Sequence, residues 1–222
     1  MTKIINSELY KFKNSTLIGI ILLISVVEII GLPSYLLIKS NSIEISTVCI
    51  VLSLLVPFES AIISNLLVDQ ERKANNFENV ISYNQSYLII TAKLIIVDFI
   101  LVFSTISIWI TAGIINDTLE SGIELGINML LLSVLLNHAH MIINLIFSTS
   151  INYILATIET LFIVFASNKV LINAYWCPVA MPINGILKIG NHNIITIIIY
   201  SVIMIIIVSI IIQRKLFKIE QQ

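Results

Sequence analysis

Six long apolar runs, separated by short polar stretches, constrain this chain more than any other feature. A membrane-spanning helix needs about 20 mostly apolar residues. The runs of that length lie at Thr16–Ile38, Ser46–Leu67, Tyr87–Ala112, Ile123–Phe147, Ile151–Ile172 and Ile194–Ile212. They are continuously apolar, without the alternation of a barrel strand. Only 11% of the 222 residues are charged, too few to cover a soluble surface, which carries about 25%. The sequence therefore predicts an all-α, polytopic membrane protein with six transmembrane helices.

The positions of the Lys and Arg residues predict its orientation, because cytoplasmic loops carry an excess of these bases. With six spans and a cytoplasmic N-terminus, eight bases lie inside: Lys3, Lys11, Lys13, Arg72, Lys73, Arg214, Lys215 and Lys218. Three lie outside: Lys39, Lys169 and Lys188. Lys93 falls near the inner end of the third span, where it can snorkel. We therefore expect both termini in the cytoplasm and, given the abundance of Ile and Asn, a bacterial plasma membrane.

The N-terminal segment 1–15 has the pattern of a helix lying on a membrane surface. Ile5, Leu9 and Phe12 are spaced i, i+4, i+7, and cations flank them. This pattern predicts an amphipathic interfacial helix on the cytoplasmic leaflet. The alternative is a frayed basic tail.

A second segment outside the spans, 173–193, lies on the predicted outer side. Pro178, Pro182 and Gly185 interrupt it, so it is too broken for a span, yet it is too apolar for free solvent. We predict a re-entrant segment that dips partly into the membrane, because irregular backbone is tolerated at that depth only when protein or water covers it.

The loop between the second and third spans contains a compact polar stretch, QERKANNFENVISYN, at 70–84. Its apolar residues Ala74, Phe77, Val80 and Ile81 follow i, i+3, i+6, i+7, one face of a short helix. An apolar plug with a polar rim is typical of a helix that docks in a groove of a partner. The alternative is an amphipathic loop helix lying on the bilayer.

The form E-R-K-x-x-x-F-E-N-x-x-S from Glu71 to Ser82, followed by Tyr87 and Lys93, resembles the pattern of ABC-2-type transporter permeases. The six spans, the amphipathic N-terminal helix and the outer segment are similar in layout. The chain looks most like the small permeases of lantibiotic and bacteriocin self-protection (immunity) exporters. The resemblance implies the ABC-2-type exporter fold, with a second copy or a paralogous permease beside it. It also implies a dimer of cytoplasmic ABC ATPases, which would bind the ATP and Mg.

In such a permease, the resemblance makes 70–84 the coupling helix, inserted into a cleft of the ATPase. The residues implied in this ATPase coupling are Glu71, Arg72, Lys73, Phe77, Glu78, Val80 and Ile81. The implied cargo is an amphipathic antimicrobial peptide expelled from the membrane. Two alternatives remain open: an exporter of a drug, lipid or polysaccharide, and a non-transporting membrane interaction or scaffold protein.

Four acids fall well inside the spans, away from their ends: Glu28, Glu59, Asp98 and Glu159. A charge at mid-membrane costs at least about 2.5–3.5 kcal/mol on insertion scales, so each acid requires a reason. Glu28, Glu59 and Asp98 are candidates for a pathway or an interface. Their alternative role is structural, as protonated residues hydrogen-bonded across helices. Pro33 and Pro57 lie near the first two acids and predict kinks there.

No pattern of a catalytic residue or a metal site is readable in the sequence. His138 and His140 are two residues apart and point to different sides of a helix. Asn137, His138 and Asn144 are better suited to interhelical hydrogen bonds. The chain has neither a CxxC pair nor a GxxxxGK[ST] phosphate loop. We therefore expect no enzymatic activity and no cofactor in this chain and, with a net charge of −1, no nucleic-acid partner. A disulfide between Cys49 and Cys177 is left open.

Overall fold

The computed structural model describes residues 2–13, 15–39, 44–73, 86–174, 176–189 and 194–219. Over these residues the chain is helical and contains no strand. Its nine described helices are α1 (Thr2–Lys13), α2 (Thr16–Lys39), α3 (Ile45–Ser53), α4 (Val56–Lys73), α5 (Ser86–Ile115), α6 (Leu119–Ile146), α7 (Thr149–Ser167), α8 (Ala180–Ile186) and α9 (Ile194–Ile219).

Five of these helices are long and apolar enough to cross a membrane by themselves. The qualifying ranges are Ile18–Ile38, Leu88–Ile115, Leu119–Ile146, Thr149–Ser167 and Ile194–Ile211. Helices α3 and α4 pass the same test only as a pair, which is bent by 40° and gives a sixth span if it is counted as one. The all-helical, multi-pass organisation predicted from the apolar runs is therefore confirmed.

The bend in the second predicted span falls at Leu54 and Leu55, between α3 and α4. Pro57 lies just beyond it and has no backbone N–H, so it cannot bond to the carbonyl of Ser53 four residues earlier. Regular bonding is re-established where the Glu59 N–H donates to the Leu55 carbonyl at 3.1 Å. By contrast, α2 continues as one helix through Pro33.

Helix α6 forms the centre of the bundle. In its most apolar window 67% of the residues are buried, against 17–33% in the other four single-helix spans. It packs mainly against α5, α4 and α9. Two apolar cores lie along the bundle: one contains Phe12, Leu94 and Met141, and the other contains Trp109, Leu132 and Cys177. We call the corresponding ends the Lys93 end and the Trp176 end.

The turn between α5 and α6 is much shorter than the loop Gly113–Gly122 predicted from the sequence. Only Asn116, Asp117 and Thr118 separate the two helices. A Cβ on Gly122 would lie 2.5 Å from the Trp109 carbonyl oxygen and 2.8 Å from the Gly113 Cα. The missing side chain therefore lets the two helices stay packed as far as their ends.

The predicted re-entrant segment contains a short helix, α8, and every residue of α8 is buried. It packs against α6 and α7 at the Trp176 end. At the opposite end, α1 packs mainly against α5. The fold thus brings α1, the end of α4 and the start of α5 together around Lys93.

Candidate functional site

The Lys93 side chain is fully buried at the start of α5, with 0% exposure. Its Nζ lies 2.8 Å from Glu71 Oε1 and 3.0 Å from Glu8 Oε2. It also donates a hydrogen bond to Gln70 Oε1 at 2.9 Å. Instead of snorkelling to the surface, as the sequence led us to expect, Lys93 bridges α1, α4 and α5.

Lys11 completes this group on its more exposed side. Its Nζ lies 2.6 Å from Glu8 Oε1 and 3.9 Å from Glu71 Oε1. Two carboxylates therefore face two ammonium groups, so the charges balance within the chain. We call Glu8, Lys11, Gln70, Glu71 and Lys93 the Lys93 cluster.

An aromatic ring closes the cluster on its apolar side. The Lys93 Nζ lies 5.5 Å from the centre of the Phe12 ring, within the range of a cation–π contact. Phe12 is itself buried in the apolar core of this end. The charges are thus shielded from water, which strengthens their attraction but also makes the loss of any one of them costly.

Sequence reasoning missed Glu8 because the predicted apolar face of α1 is rotated slightly from the face that is buried. The predicted face was Ile5, Leu9 and Phe12, yet Leu9 is 47% exposed and Glu8 is only 2% exposed. Glu8 lies one helical turn before Phe12, on the same face. The sequence does show that Glu8 lies on the same helix face as Phe12. That position indicates a buried ion pair only when Lys93 is known to lie opposite.

The residues implied in ATPase coupling differ in their surroundings, and some of them lie outside the described residues. Glu71 points into the Lys93 cluster and is 2% exposed. Arg72 pairs with Asp69 at 3.1 Å, and Lys73, the last residue of α4, is exposed. The remaining coupling residues, Phe77, Glu78, Val80 and Ile81, lie outside the described residues, as do Ala74 and the rest of 74–85.

Of the three candidate pathway acids, two meet midway along the bundle. The carboxyl groups of Glu28 on α2 and Glu59 on α4 lie side by side, within reach of each other. Both residues line a cavity of about 40 Å³ that Trp109 also borders. We call Glu28 and Glu59 the mid-span pair.

The mid-span pair also lies at a much larger groove between α2 and the bent pair α3–α4. This groove has a volume of about 670 Å³. Its walls are mainly apolar and include Leu23, Val27, Val51 and Leu55, all of which are more than half exposed. The groove therefore opens on the outside of the bundle, on the side that would face lipid.

Asp98, the third candidate pathway acid, does not join the mid-span pair. Its Oδ2 lies 2.9 Å from His138 Nε2 on α6, and Asn137 Nδ2 donates to its Oδ1 over a long 3.4 Å. Neither polar side-chain atom of Asn144 has a hydrogen-bond partner among the described residues. The predicted interhelical bonding therefore holds for His138 and Asn137 and is not seen for Asn144.

His140 points to a different helix from His138. Asn152 on α7 donates from Nδ2 to Ser64 Oγ at 2.9 Å and to Asn65 Oδ1 at 3.0 Å, which leaves its Oδ1 to accept from His140 Nδ1 at 2.7 Å. The other ring nitrogen of His140 lies 2.8 Å from Glu159 Oε2, although not in hydrogen-bond alignment. Glu159 thus has a close polar neighbour on α6.

Two titratable residues of the outer segment have displaced pKa values. A hydrogen bond from Lys188 to Glu124 at 2.6 Å, together with the charge of that carboxylate, raises the pKa of the exposed Lys188 ammonium group. Burial raises the pKa of the Cys177 thiol. Cys49 and Cys177 are both buried thiols that form no disulfide in the structure. Among the described residues, no three His, Cys, Asp or Glu are grouped to hold a metal ion.

Comparison with known proteins gives the chain no relatives. No protein-family model, no curated protein and no solved structure matches it. Function must therefore be inferred from the Lys93 cluster, the mid-span pair and the groove.

Proposed function

We propose that this chain is the transmembrane permease subunit of an ABC exporter in a bacterial plasma membrane. It would pair with a second copy or with a paralogous permease, and a dimer of cytoplasmic ABC ATPases would supply ATP hydrolysis. Its cargo would be an amphipathic antimicrobial peptide of the lantibiotic or bacteriocin type, expelled from the membrane for self-protection. The chain itself would perform no chemistry.

The observation that carries this proposal is the position of the Lys93 cluster relative to 70–84. Gln70 and Glu71 lie just before residues 74–85, and Lys93 lies just after them. The ion pairs of Lys93 join both flanks of that segment to each other and, through Glu8, to α1. A force applied to the segment would therefore reach α1, α4 and α5 together.

Such a joint is what a non-catalytic subunit needs if it is driven by a separate ATPase. An ion pair on the protein surface stabilises the fold only slightly, so little free energy is needed to break it. A buried, balanced cluster resists separation of its helices, because breaking it leaves an uncompensated charge away from water. The excess of bases at the predicted inner side supports a cytoplasmic position for this end.

Co-expression with candidate ABC ATPases tests the proposal. We expect the two proteins to co-purify from detergent in a fixed ratio. Phe77→Asp should abolish recovery of the ATPase, since it puts a charge on the predicted apolar docking face. Asn79→Asp, on another face of the same predicted helix, is the matched control and should retain the ATPase.

Equal recovery of the ATPase with wild type and Phe77→Asp would refute the docking assignment. Failure of the wild type to bind the ATPase would refute the transporter proposal and favour the scaffold alternative.

Cargo is tested separately by the resistance of cells that express both proteins to a cationic lantibiotic. Unchanged sensitivity in cells with a stable complex would favour a drug, lipid or polysaccharide as cargo.

A further inference from the structure

The groove between α2 and α3–α4 combines an apolar wall with acidic groups placed deep along it. Glu28 lies ten residues from either end of the span Ile18–Ile38. At a rise of about 1.5 Å per residue, that is about 15 Å from each end of the helix. The carboxyl groups therefore face the groove at the depth where a charge is most costly.

None of the described residues lining the groove or the adjoining small cavity is a base. The described lining therefore offers Glu28 and Glu59 no partner of the kind that Lys93 offers Glu71. A cation entering the groove would find two poorly solvated acids that are accessible from the side.

The size and shape of the groove restrict the ligand further. Its volume of about 670 Å³ falls within the range of about 300–1,000 Å³ that is usual for ligand pockets. The ammonium group of a phospholipid stays at the headgroup level, about 15 Å from the mid-span pair. A lysine of a membrane-inserted helix can be carried to that depth, and its aliphatic stem would match the apolar walls.

We propose that this groove binds an amphipathic, membrane-partitioned peptide by a lysine side chain whose ammonium group is accepted by Glu28 and Glu59. The inference rests on the proposed export of such peptides and adds where and how the cargo is held. Leu23, Val27 and Val51 contact the apolar part of the peptide.

A single-tryptophan form of the chain provides the reporter. The chain has two tryptophans, and Trp176→Phe leaves only Trp109, which borders the small cavity beside the mid-span pair. This form is placed in phosphatidylcholine nanodiscs without any ATPase. The probe is a synthetic amphipathic Leu/Ser peptide with one central Lys next to 4-bromophenylalanine. Bromine close to Trp109 quenches its fluorescence.

We expect the Lys peptide to quench Trp109 saturably. A counterpart with norleucine in place of Lys should need concentrations about tenfold higher, because it lacks one hydrogen bond to a charged group. A counterpart with Glu should bind more weakly still. Glu28→Gln/Glu59→Gln should remove the preference for Lys. Glu124→Gln, which changes an exposed acid at the Trp176 end, should keep it.

Equal quenching by the Lys and norleucine peptides would overturn the proposal, as would an unchanged preference in the double variant. Folding of each variant is checked by its thermal unfolding midpoint, and Glu59→Gln alone replaces the double variant if the latter unfolds. Displacement of the Lys peptide by added phosphatidylethanolamine would instead assign the groove to a lipid. Because no ATPase is present, failure here leaves the docking test at Phe77 unaffected, and the reverse also holds.

Discussion

Glu71 and Glu59 lie on the same helix, α4, in opposite environments. Glu71 is buried against Lys93 at 2.8 Å, and the charges around it balance. Glu59 lies next to Glu28 beside an open apolar groove, and no described residue of the groove lining supplies a cation. The first carboxylate is fully used in holding helices together. The second retains the capacity to bind something from outside the chain.

This difference separates a mechanical role from a recognition role on one helix. A carboxylate that is compensated inside the protein adds rigidity, and its removal should reduce stability. A carboxylate that is not compensated adds little to stability, and its removal should reduce binding. If the proposals are right, α4 connects the two, because a shift at Glu71 would move Glu59 along the same helix.

The largest expected effect is that of Lys93→Met, which leaves Glu8 and Glu71 buried without their central cation. We expect the free energy of unfolding to fall by about 3–5 kcal/mol, as is typical when one partner of a buried pair is removed. Reversible unfolding in mixed micelles would measure it. Lys11→Met is the matched control, since Lys11 is 41% exposed, and should cost much less.

Neutralising the whole Lys93 cluster sharpens this expectation. Glu8→Gln/Glu71→Gln/Lys93→Met contains no unpaired charge, so most of the stability lost in Lys93→Met should return. Equal losses in Lys93→Met and Lys11→Met would contradict the burial and balance described for this end.

The next largest effect compares the two acids of α4 directly. Glu71→Gln should cost about 1.5–3 kcal/mol, the contribution of a hydrogen bond to a charged group. Glu59→Gln should remain within about 0.5 kcal/mol of wild type, because an amide can still bond to Glu28. Both are measured by the same unfolding assay. A larger loss for Glu59→Gln than for Glu71→Gln would reverse the assignment of roles.

Asn152→Ala should have an intermediate effect on the free energy of unfolding. Its side chain joins helices by neutral hydrogen bonds and not by ion pairs. Asn152 bonds to α4 and accepts from His140. We expect a loss of about 1–2 kcal/mol in the same assay, the upper range for interhelical bonds in membranes. Thr157→Ala is a control on the same helix, since its hydroxyl donates only within α7, and should have little effect.

The smallest effect should come from the exposed pair of Lys188 and Glu124. The pKa of Lys188 is raised in the folded chain, so any stability it adds is complete below its ordinary pKa and is lost as the pH rises through the raised value. At neutral pH, Lys188→Met should unfold indistinguishably from wild type, particularly in high salt, because exposed pairs are screened. A clear loss of unfolding free energy in Lys188→Met that persists in high salt would show that this pair is more than a surface contact.

Much of the fold could be predicted because hydrophobic length is a local property of the sequence. All six apolar runs correspond to helices, with boundaries displaced by a few residues. Only three residues separate the fourth run from the fifth, and only Phe147 and Ser148 separate α6 from α7. Pro57 correctly indicated a kink, because the missing N–H acts on its own helix.

The site was less predictable because its partners are distant in the sequence. Glu8 and Lys93 are brought together only by the packing of α1 on α5, which the periodicity of α1 did not reveal. The sequence identified Glu28 and Glu59 as mid-span acids but gave no reason for them to meet. Nothing in the sequence singles out Asn152, whose side chain joins α4, α6 and α7.

The central claim is that the Lys93 cluster transmits force between the bound ATPase and the spans. Its most direct test is peptide-stimulated ATP hydrolysis by the reconstituted complex of the neutral triple variant Glu8→Gln/Glu71→Gln/Lys93→Met. The variant keeps 74–85 unchanged, so we expect it to bind the ATPase normally. We expect the Lys peptide to stimulate its ATP hydrolysis about tenfold less than in wild type, or weaker still. A tenfold reduction corresponds to a loss of about 1.4 kcal/mol of coupling free energy. Wild-type stimulation in a folded, ATPase-bound triple variant would contradict the claim.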